Sequence, residues 1–439
     1  MNNGTPNPLV EYFRCPQWFA EGASCVSLDA ELARRFGVAA GDPTYNGSPF
    51  PIMSADEFRS WIDLLRNERY EQASTETTVG AIMTREAYYL IRPLLGVAVR
   101  RHFQRFAFSG WDRRSFPHWP VDRTVDQLHE AFLRGGLQRK RTAEVPFIWF
   151  WPNGYSGCAV LTHDVETDEG LRFCPTLMGM DDAAGIKSSF QLVPEQRYHV
   201  SEAELEQFRA RGFEVSVHDL NHDGHLYRDA ATFRRRVGKI NEYGRKFGAQ
   251  GFRAGALYRN QEWFDLLDFQ YDMSVPNVAH LDPQHGGCCT IFPYFIGNIL
   301  ELPVTAIQDY SLFHVLCTYS TELWREQFEE IARHHGMFHV ITHPDYVIES
   351  RARAVYTEFL KLLSELARTR NVWLAQPRDV NAWWRQRSQM RLEWHDGQWR
   401  ILGDGSERAT VAYARAGEAG LEYANGPLTS RTASTPLGG

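Results

Sequence analysis

The chain has 439 residues, of which 43% are hydrophobic and 23% are charged, and its formal net charge at pH 7 is -7. A chain of this length can bury one large core and still carry one or two smaller modules. The composition is typical of a globular protein and excludes a disordered or fibrous one. The negative charge argues against a dedicated nucleic-acid binder, which needs clustered Lys and Arg.

The N-terminal residues lack both features of a secretory signal, a positively charged start and an apolar stretch of roughly 7 to 15 residues. The most apolar segment, 145–151, is far shorter than the roughly 18 residues that a membrane span requires. We therefore expect a cytoplasmic protein without a transmembrane helix. The seven cysteines are unevenly spaced and form no Cys-x-x-Cys pair, which indicates reduced thiols.

Residues 1–144 are expected to form a mainly helical accessory region. Within it, segment 89–105 has the apolar and basic spacing of an amphipathic helix. Such a helix docks on the main domain or lies on an anionic membrane surface, and docking is the favoured interpretation. Residues 135–141, which begin with two glycines and end in a basic run, predict a flexible connection at the end of this region.

Residues 145–388 show a different pattern, in which short apolar runs alternate with helical segments. The strand-like runs are 157–162, 188–193, 213–217, 251–253, 271–275, 300–304, 337–342 and 372–375. The helical segments between them are 201–211, 229–247, 262–268, 322–335 and 351–368. Repeated β-α units with buried strands predict an α/β fold, and seven or eight parallel strands predict a distorted (β/α) barrel.

Residues 389–439 predict a small antiparallel β extension. The runs 390–394 and 399–401 flank Asp396-Gly397, which is a strong hairpin signal, and 408–414 supply a further strand. From residue 424 the chain is rich in Gly, Ser, Thr and Pro, which predicts a disordered tail.

Acids and histidines follow several of the strand-like runs. Asp164 and Glu166 follow the first run, His218 and His222 follow the third, and His343 follows the seventh. Two imidazoles four residues apart can hold one metal ion, whose other positions go to a carboxylate and to water or substrate. In a barrel the carboxyl ends of the strands lie at one face, so these side chains predict a metal site there.

These segments together resemble the polysaccharide deacetylases, carbohydrate esterases that remove acetyl groups from amino sugars with a metal-bound water. The resemblance covers roughly residues 150–380 and implies an acetylated carbohydrate substrate and Zn²⁺ or another divalent transition metal. The family's first motif is Thr-Phe-Asp-Asp, in which the first Asp is the general base and the second binds the metal. Asp164 matches the base, Val165 departs from the motif, and Glu166 is the implied carboxylate ligand.

The other motifs imply the remaining roles. His218 and His222 match the family's two histidine ligands, and His343 in Val-Ile-Thr-His matches its general acid. Arg253 matches the arginine that positions the base, although the proline usually found two residues later is Gly255 here.

The fourth motif of the family, which carries an aspartate that supports the acid, has no clear copy in this chain. Asp272 and Asp309 are both candidates for that aspartate.

Three other interpretations fit parts of the sequence. The segment from His218 to His222 is similar to the metalloprotease motif His-Glu-x-x-His, but the preceding Val-Ser-Val disfavours the helix that this motif requires. The same barrel and metal could serve a small non-sugar amide. A carbohydrate-binding relative that has lost turnover would account for Val165 and Gly255.

The sequence leaves the sugar and the oligomeric state open, and a cytoplasmic location favours a nucleotide-linked or lipid-linked precursor.

Overall fold

The computed structural model describes residues 7–20, 26–27, 52–53, 55–73, 110–418 and 420–427. The predicted helix at 89–105 and residues 428–439 of the predicted tail lie outside the described residues. The chain divides into two compact units. The first comprises 1–61, 127–154 and 385–439, and the second comprises 62–126 and 155–384. The domain boundaries expected at 144 and 388 stay predictions.

The strands, in chain order, are β1 Val26–Ser27, β2 Ile52–Met53, β3 Glu144–Ile148, β4 Gly157–Val165, β5 Ser189–Leu192, β6 Glu214–His218, β7 Gly251–Arg253, β8 Tyr271–Asp272, β9 Tyr294–Ile296, β10 Ile299–Glu301, β11 Met337–Thr342, β12 Val372–Ala375, β13 Arg391–His395, β14 Gln398–Leu402, β15 Val411–Ala416 and β16 Leu421–Ala424.

The helices are α1 Pro8–Phe13, α2 Gln17–Ala20, α3 Ala55–Arg66, α4 Arg69–Ala73, α5 Thr124–Lys140, α6 Asp168–Ala183, α7 Glu202–Ala210, α8 Ala230–Phe247, α9 Glu322–Arg333, α10 Pro344–Val347, α11 Ser350–Thr369 and α12 Pro377–Gln389. Short 3₁₀ turns lie at Trp111–Arg113, Pro152–Gly154, Gly255–Leu257, Gln261–Leu266 and Ser406–Arg408, and Ser311–Val315 form a π-helix. Among the described residues of 1–144, helices predominate, as expected.

The second unit is built around a curled sheet of mostly parallel strands. The strand order is β11-β4-β5-β6-β7-β8-β10-β9, and only β9 runs antiparallel to its neighbour. β12 and β5 pair with the same edge of β4, β12 with residues 157–160 and β5 with residues 162–165. β11 pairs with the opposite edge. The sheet curls so far that the residues after β10 reach β11. There Thr305 N and Ala306 N donate hydrogen bonds to His339 O. All eight predicted strands are therefore parallel strands of a distorted barrel, which confirms the predicted fold class.

Side chains cap the first turns of the helices that follow two of the strands. Ser201 and Glu204 form a capping box at the start of α7, and the Asp229 side chain accepts a hydrogen bond from Thr232 N at the start of α8. Four of the five helical segments predicted between strands are present as α7, α8, α9 and α11. The fifth, at 262–268, was wrong in type, because residues Gln261–Leu266 form a 3₁₀ helix instead.

The flexible connection predicted at 135–141 was also wrong. Residues Thr124–Lys140 form one continuous helix, α5, which contains both glycines. Each helical glycine costs about 1 kcal/mol relative to alanine. Burial of Leu128, Phe132 and Leu137 on this helix outweighs that cost, since each such side chain contributes roughly 1.5–3 kcal/mol.

The first unit contains a three-stranded antiparallel sheet and a hairpin. The sheet has the order β16-β15-β3, so the predicted C-terminal strand at 408–414 pairs with residues 144–148. The hairpin β13–β14 turns at Asp396-Gly397, where both residues have positive φ, as predicted.

In the described part of the chain, no helix combines the length and the apolar character that a bilayer crossing requires. The cytoplasmic location stays a prediction from the sequence.

Candidate metal centre

Strand β4 sends alternate side chains to opposite faces of the sheet, and this alternation selects the acids of the site. His163 faces α6, where its Nε2 lies 2.9 Å from Asp181 Oδ2. Asp164 therefore faces the barrel interior, and Glu166 lies on the same side just past the strand. Val165 is fully buried and belongs to the face of His163. A carboxylate ligand fits at position 166 and not at position 165.

Three side chains converge at the carboxyl ends of β4 and β6. Glu166, His218 and His222 each offer one ligand atom, and these atoms all lie within 4.8 Å of one another. Glu166 Oε1 lies 2.9 Å from His222 Nε2 and 3.8 Å from His218 Nε2. The structure thus brings together all three residues predicted as ligands.

The donor atoms of this cluster suit a divalent metal ion. The Nε2 atoms of His218 and His222 are buried, and neither makes a well-oriented hydrogen bond within the described residues. Two imidazole nitrogens and one carboxylate oxygen are the donor set of an open zinc-type site. His218 Nδ1 lies 3.2 Å from Arg253 O, so the tautomer that donates to this carbonyl leaves Nε2 for the ion.

The loop that carries His222 depends on a close approach by Gly255. Asp219 and His222 both have positive φ, and Asp219 N donates to Arg253 O at 2.8 Å. A Cβ atom on Gly255 would lie 2.6 Å from Asp219 Oδ2 and 3.0 Å from His222 Cδ2. A larger residue would displace this loop, which gives a physical reason for glycine at the position where the resemblance implies proline.

Asp164, the predicted base, is buried and paired with Arg253. Arg253 Nη1 donates to Asp164 Oδ1 at 2.7 Å, and Asp164 Oδ2 lies 3.6 Å from His218 Nε2. Burial raises the pKa of Asp164, but the charges of Arg253, His218 and His343 outweigh this effect and hold the pKa below its usual value. The carboxylate is therefore ionised and adjacent to the predicted ligands His218 and Glu166.

His339 was missed by the sequence analysis. Its Nε2 lies 2.9 Å from Arg253 Nη2, and its Nδ1 lies 3.1 Å from Leu302 O. Burial and the charge of Arg253 lower the pKa of His339 to about 3, so the ring is neutral and accepts from the guanidinium. The signal was available, because residues 339, 341 and 343 share one face of a strand.

His343, the predicted acid, is held by Asp309. His343 Nδ1 lies 2.6 Å from Asp309 Oδ1, and His343 N donates to Asp309 Oδ2 at 2.7 Å. Burial lowers the pKa of His343, but the Asp309 carboxylate, with Glu166, outweighs it and raises the pKa well above its usual value. The structure thus distinguishes Asp309 from Asp272, whose side chain instead accepts hydrogen bonds from Ser274.

No family model matches the chain, and no curated protein matches it. Solved structures do, and several of them are polysaccharide deacetylases.

A provisionally named polysaccharide deacetylase from Mycobacterium smegmatis is 20% identical, with 54% of this chain and 92% of that chain covered and a TM-score of 0.45. The Puue allantoinase is 14% identical over 53% of this chain and 92% of its own, with a TM-score of 0.42. A family 4 acetyl xylan esterase from Clostridium thermocellum, in complex with a cobalt ion, is 13% identical over 52% and 91%, with a TM-score of 0.35.

Proposed function

We propose that the protein is a metal-dependent hydrolase that removes an acetyl group from an N-acetylated sugar. Glu166, His218 and His222 would hold Zn²⁺ or another divalent transition metal. The observation that carries this proposal is the convergence of these three ligand atoms within 4.8 Å, beside an aspartate paired with Arg253 and a histidine paired with Asp309.

The side chains divide the chemistry of amide hydrolysis between them. A bound ion would supply Lewis acidity toward the amide carbonyl and toward the attacking water. Asp164, ionised and 3.6 Å from a ligand nitrogen, would accept the proton of that water. His343, protonated through its contact with Asp309, would give a proton to the leaving amine nitrogen. Arg253 keeps Asp164 charged and oriented.

Two departures from the family motifs favoured an inactive carbohydrate-binding relative, and both have structural explanations that support an active enzyme. Val165 lies on the outward face of β4, where a side chain cannot reach the site. Glu166 would supply the carboxylate ligand instead. Gly255 leaves space for the loop that carries His222.

The proposal is tested by metal content together with acetate release. Purified wild type and the His218→Ala/His222→Ala double variant are compared by elemental analysis and against a panel of N-acetylated sugars. We expect one metal per chain and acetate release in the wild type, and loss of both in the double variant. His395→Ala, at a histidine that is 61% exposed on the hairpin β13–β14, is the matched control.

The other outcomes separate the two parts of the proposal. Metal bound without acetate release from any sugar would contradict the reaction and favour another amide. A wild type that takes up no divalent metal would contradict the metal centre itself. Thermal melting of each variant distinguishes loss of ligands from loss of the fold.

A further inference from the structure

Tyr346 lies three residues after His343, and none of the roles proposed above uses it. It belongs to α10, which begins directly after His343 at the end of β11. Tyr346 N donates to His343 O at 3.1 Å, and this single helical turn places the two rings beside each other. Their centroids lie 4.8 Å apart, at an interplanar angle of 37°. The tyrosine therefore has a defined position next to the proposed acid.

Two further rings hold the Tyr346 ring in place. The ring of His314 meets it nearly at a right angle, with centroids 4.9 Å apart, and the centroid of Tyr310 lies 5.9 Å away. Both residues follow Asp309, which contacts His343. His314 belongs to the π-helix after Asp309, a rare conformation that is frequent at functional sites. One segment of the chain thus positions both the acid and the tyrosine.

Within the described residues, the hydroxyl group of Tyr346 has no hydrogen-bond partner, although the side chain is only partly exposed. A polar group that is withdrawn from water is costly unless it gains a partner. Burial raises the pKa of Tyr346 well above its usual value, and the negative charge of Glu166 raises it further. The hydroxyl is therefore neutral and is available as a donor to a molecule bound at the site.

The hydroxyl lies on the side of His343 that faces the reaction. His343 Nδ1 contacts Asp309, whereas its Nε2 lies 3.5 Å from Glu166 Oε1. The charge of Glu166 raises the pKa of Tyr346 more than that of Asp309 does, which places the hydroxyl nearer to Nε2 than to Nδ1. A substrate whose leaving nitrogen takes a proton from Nε2 would place the group attached to that nitrogen beside Tyr346.

We propose that the Tyr346 hydroxyl donates a hydrogen bond to a hydroxyl group on the ring that carries the leaving amine. A tyrosine offers an apolar ring with one polar end, which suits a sugar, whose hydroxyl groups surround a ring with apolar C–H faces. Tyr346 thus makes the enzyme prefer amino sugars to amines that carry only hydrocarbon. This inference rests on the proposed function and adds to it a residue that recognises the sugar.

The first test compares hydrolysis of N-acetylglucosamine with hydrolysis of N-cyclohexylacetamide, which lacks the hydroxyl groups. Tyr346→Phe removes the phenolic hydroxyl and keeps the ring that contacts His343. We expect this variant to lower the ratio of kcat/KM for the sugar to kcat/KM for the cyclohexyl amide by about tenfold, the size of one hydrogen bond. Tyr155→Phe, at a partly exposed tyrosine just before β4 at the other end of the barrel, is the matched control and should keep the wild-type ratio.

A purely structural role of Tyr346 predicts a different result. If the side chain only packed against His343, the loss of its hydroxyl would change kcat/KM for both amides by the same factor. That outcome would overturn the inference and leave the deacetylase. Thermal melting checks that both variants are folded.

The second test measures binding without turnover. Calorimetry with the two amine products, glucosamine and cyclohexylamine, is expected to show tighter binding of glucosamine to the wild type. Tyr346→Phe should reduce this preference by about tenfold, and Tyr155→Phe should keep it.

The two tests separate this inference from the proposed function. A preference for glucosamine that falls in Tyr346→Phe, with neither amide hydrolysed, would uphold the contact and overturn the reaction. A folded wild type that binds neither amine, or binds both equally well, would overturn the contact.

Discussion

The orientation of Asp164 depends on a single guanidinium group. Arg253 Nε donates to Met273 O at 2.9 Å, and Nη2 lies 2.9 Å from His339 Nε2, which leaves Nη1 directed at Asp164. A lysine at this position would keep the positive charge, but its one ammonium group cannot make all of these contacts together.

We therefore predict that Arg253→Lys lowers kcat for amide hydrolysis by about 100-fold and leaves the metal content unchanged. Steady-state kinetics and elemental analysis measure the two effects separately. Arg245→Lys, at an arginine that is 64% exposed on α8, is the matched control. If Arg253→Lys kept the wild-type kcat, Asp164 would need no orienting partner.

Asp309 is expected to act through His343. Its two oxygens accept hydrogen bonds from the ring Nδ1 and from the backbone N of His343. We predict that Asp309→Asn lowers kcat by about 100-fold with little change in KM, because the acid loses the group that orients and charges it. Kinetics of the matched variant Asp272→Asn provide the comparison. Equal losses of kcat in both variants would show that the contact with His343 is not the cause.

The sequence predicted the residues of the site more completely than their partners. Glu166, His218, His222 and Asp164 could be predicted because each lies at or just past the end of a recognisable strand, and strand ends meet at one face of a barrel. Asp309 lies in the segment between β10 and α9, which has no regular period. The path of that segment decides that Asp309, and not Asp272, contacts His343. Local sequence does not encode this path.

The junction of α3 and α4 is fixed to the barrel loops by a buried ion pair. Glu68 accepts from Arg259 through both carboxylate oxygens and also from Gly287 N at 2.7 Å. Both side chains are less than 10% exposed. The pair joins the loops after β7 and β8 to the junction of α3 and α4.

We predict that Glu68→Gln lowers the free energy of unfolding by about 3–5 kcal/mol, because the charge of Arg259 would remain buried without its partner. Urea denaturation measures this loss. Glu71→Gln, whose ion pair with Arg114 is 3.7 Å long and about one third exposed, should cost less than about 1 kcal/mol. Similar small losses from both variants would contradict a stabilising role for the buried pair.

Elements with a strong local period were predicted, and those set by tertiary contacts were not. The eight parallel strands could be found because each is a short apolar run, and α8 and α11 because they repeat with a helical period. Helix α5 was misassigned at its glycine pair, where burial of neighbouring apolar residues outweighs local preference. Strand β9 pairs antiparallel to β10, an arrangement that the βα repeat does not predict.

The stability of the folded chain should depend on pH through a carboxyl pair inside the barrel. Asp272 and Glu301 are neighbours in the β8–β10 register, and both are fully buried. Val275 N donates to Glu301 Oε1 at 3.0 Å. Burial raises the pKa of Glu301 well above its usual value, and the adjacent Asp272 carboxyl raises it further. The folded protein therefore retains a proton that the unfolded chain loses.

The sign of the effect follows from this difference in bound protons. Above the unfolded pKa of about 4.3 the folded state binds more protons, so the free energy of unfolding falls as pH rises toward the folded pKa, by about 1.4 kcal/mol per unit.

Glu301→Gln keeps the acceptor and donor positions of the protonated acid and cannot ionise. We predict that this variant and the wild type differ least near pH 4.5 and that the variant becomes progressively more stable than the wild type toward pH 8. Urea denaturation at several pH values measures the difference, and parallel curves for the two proteins would show that Glu301 is ionised in the folded state.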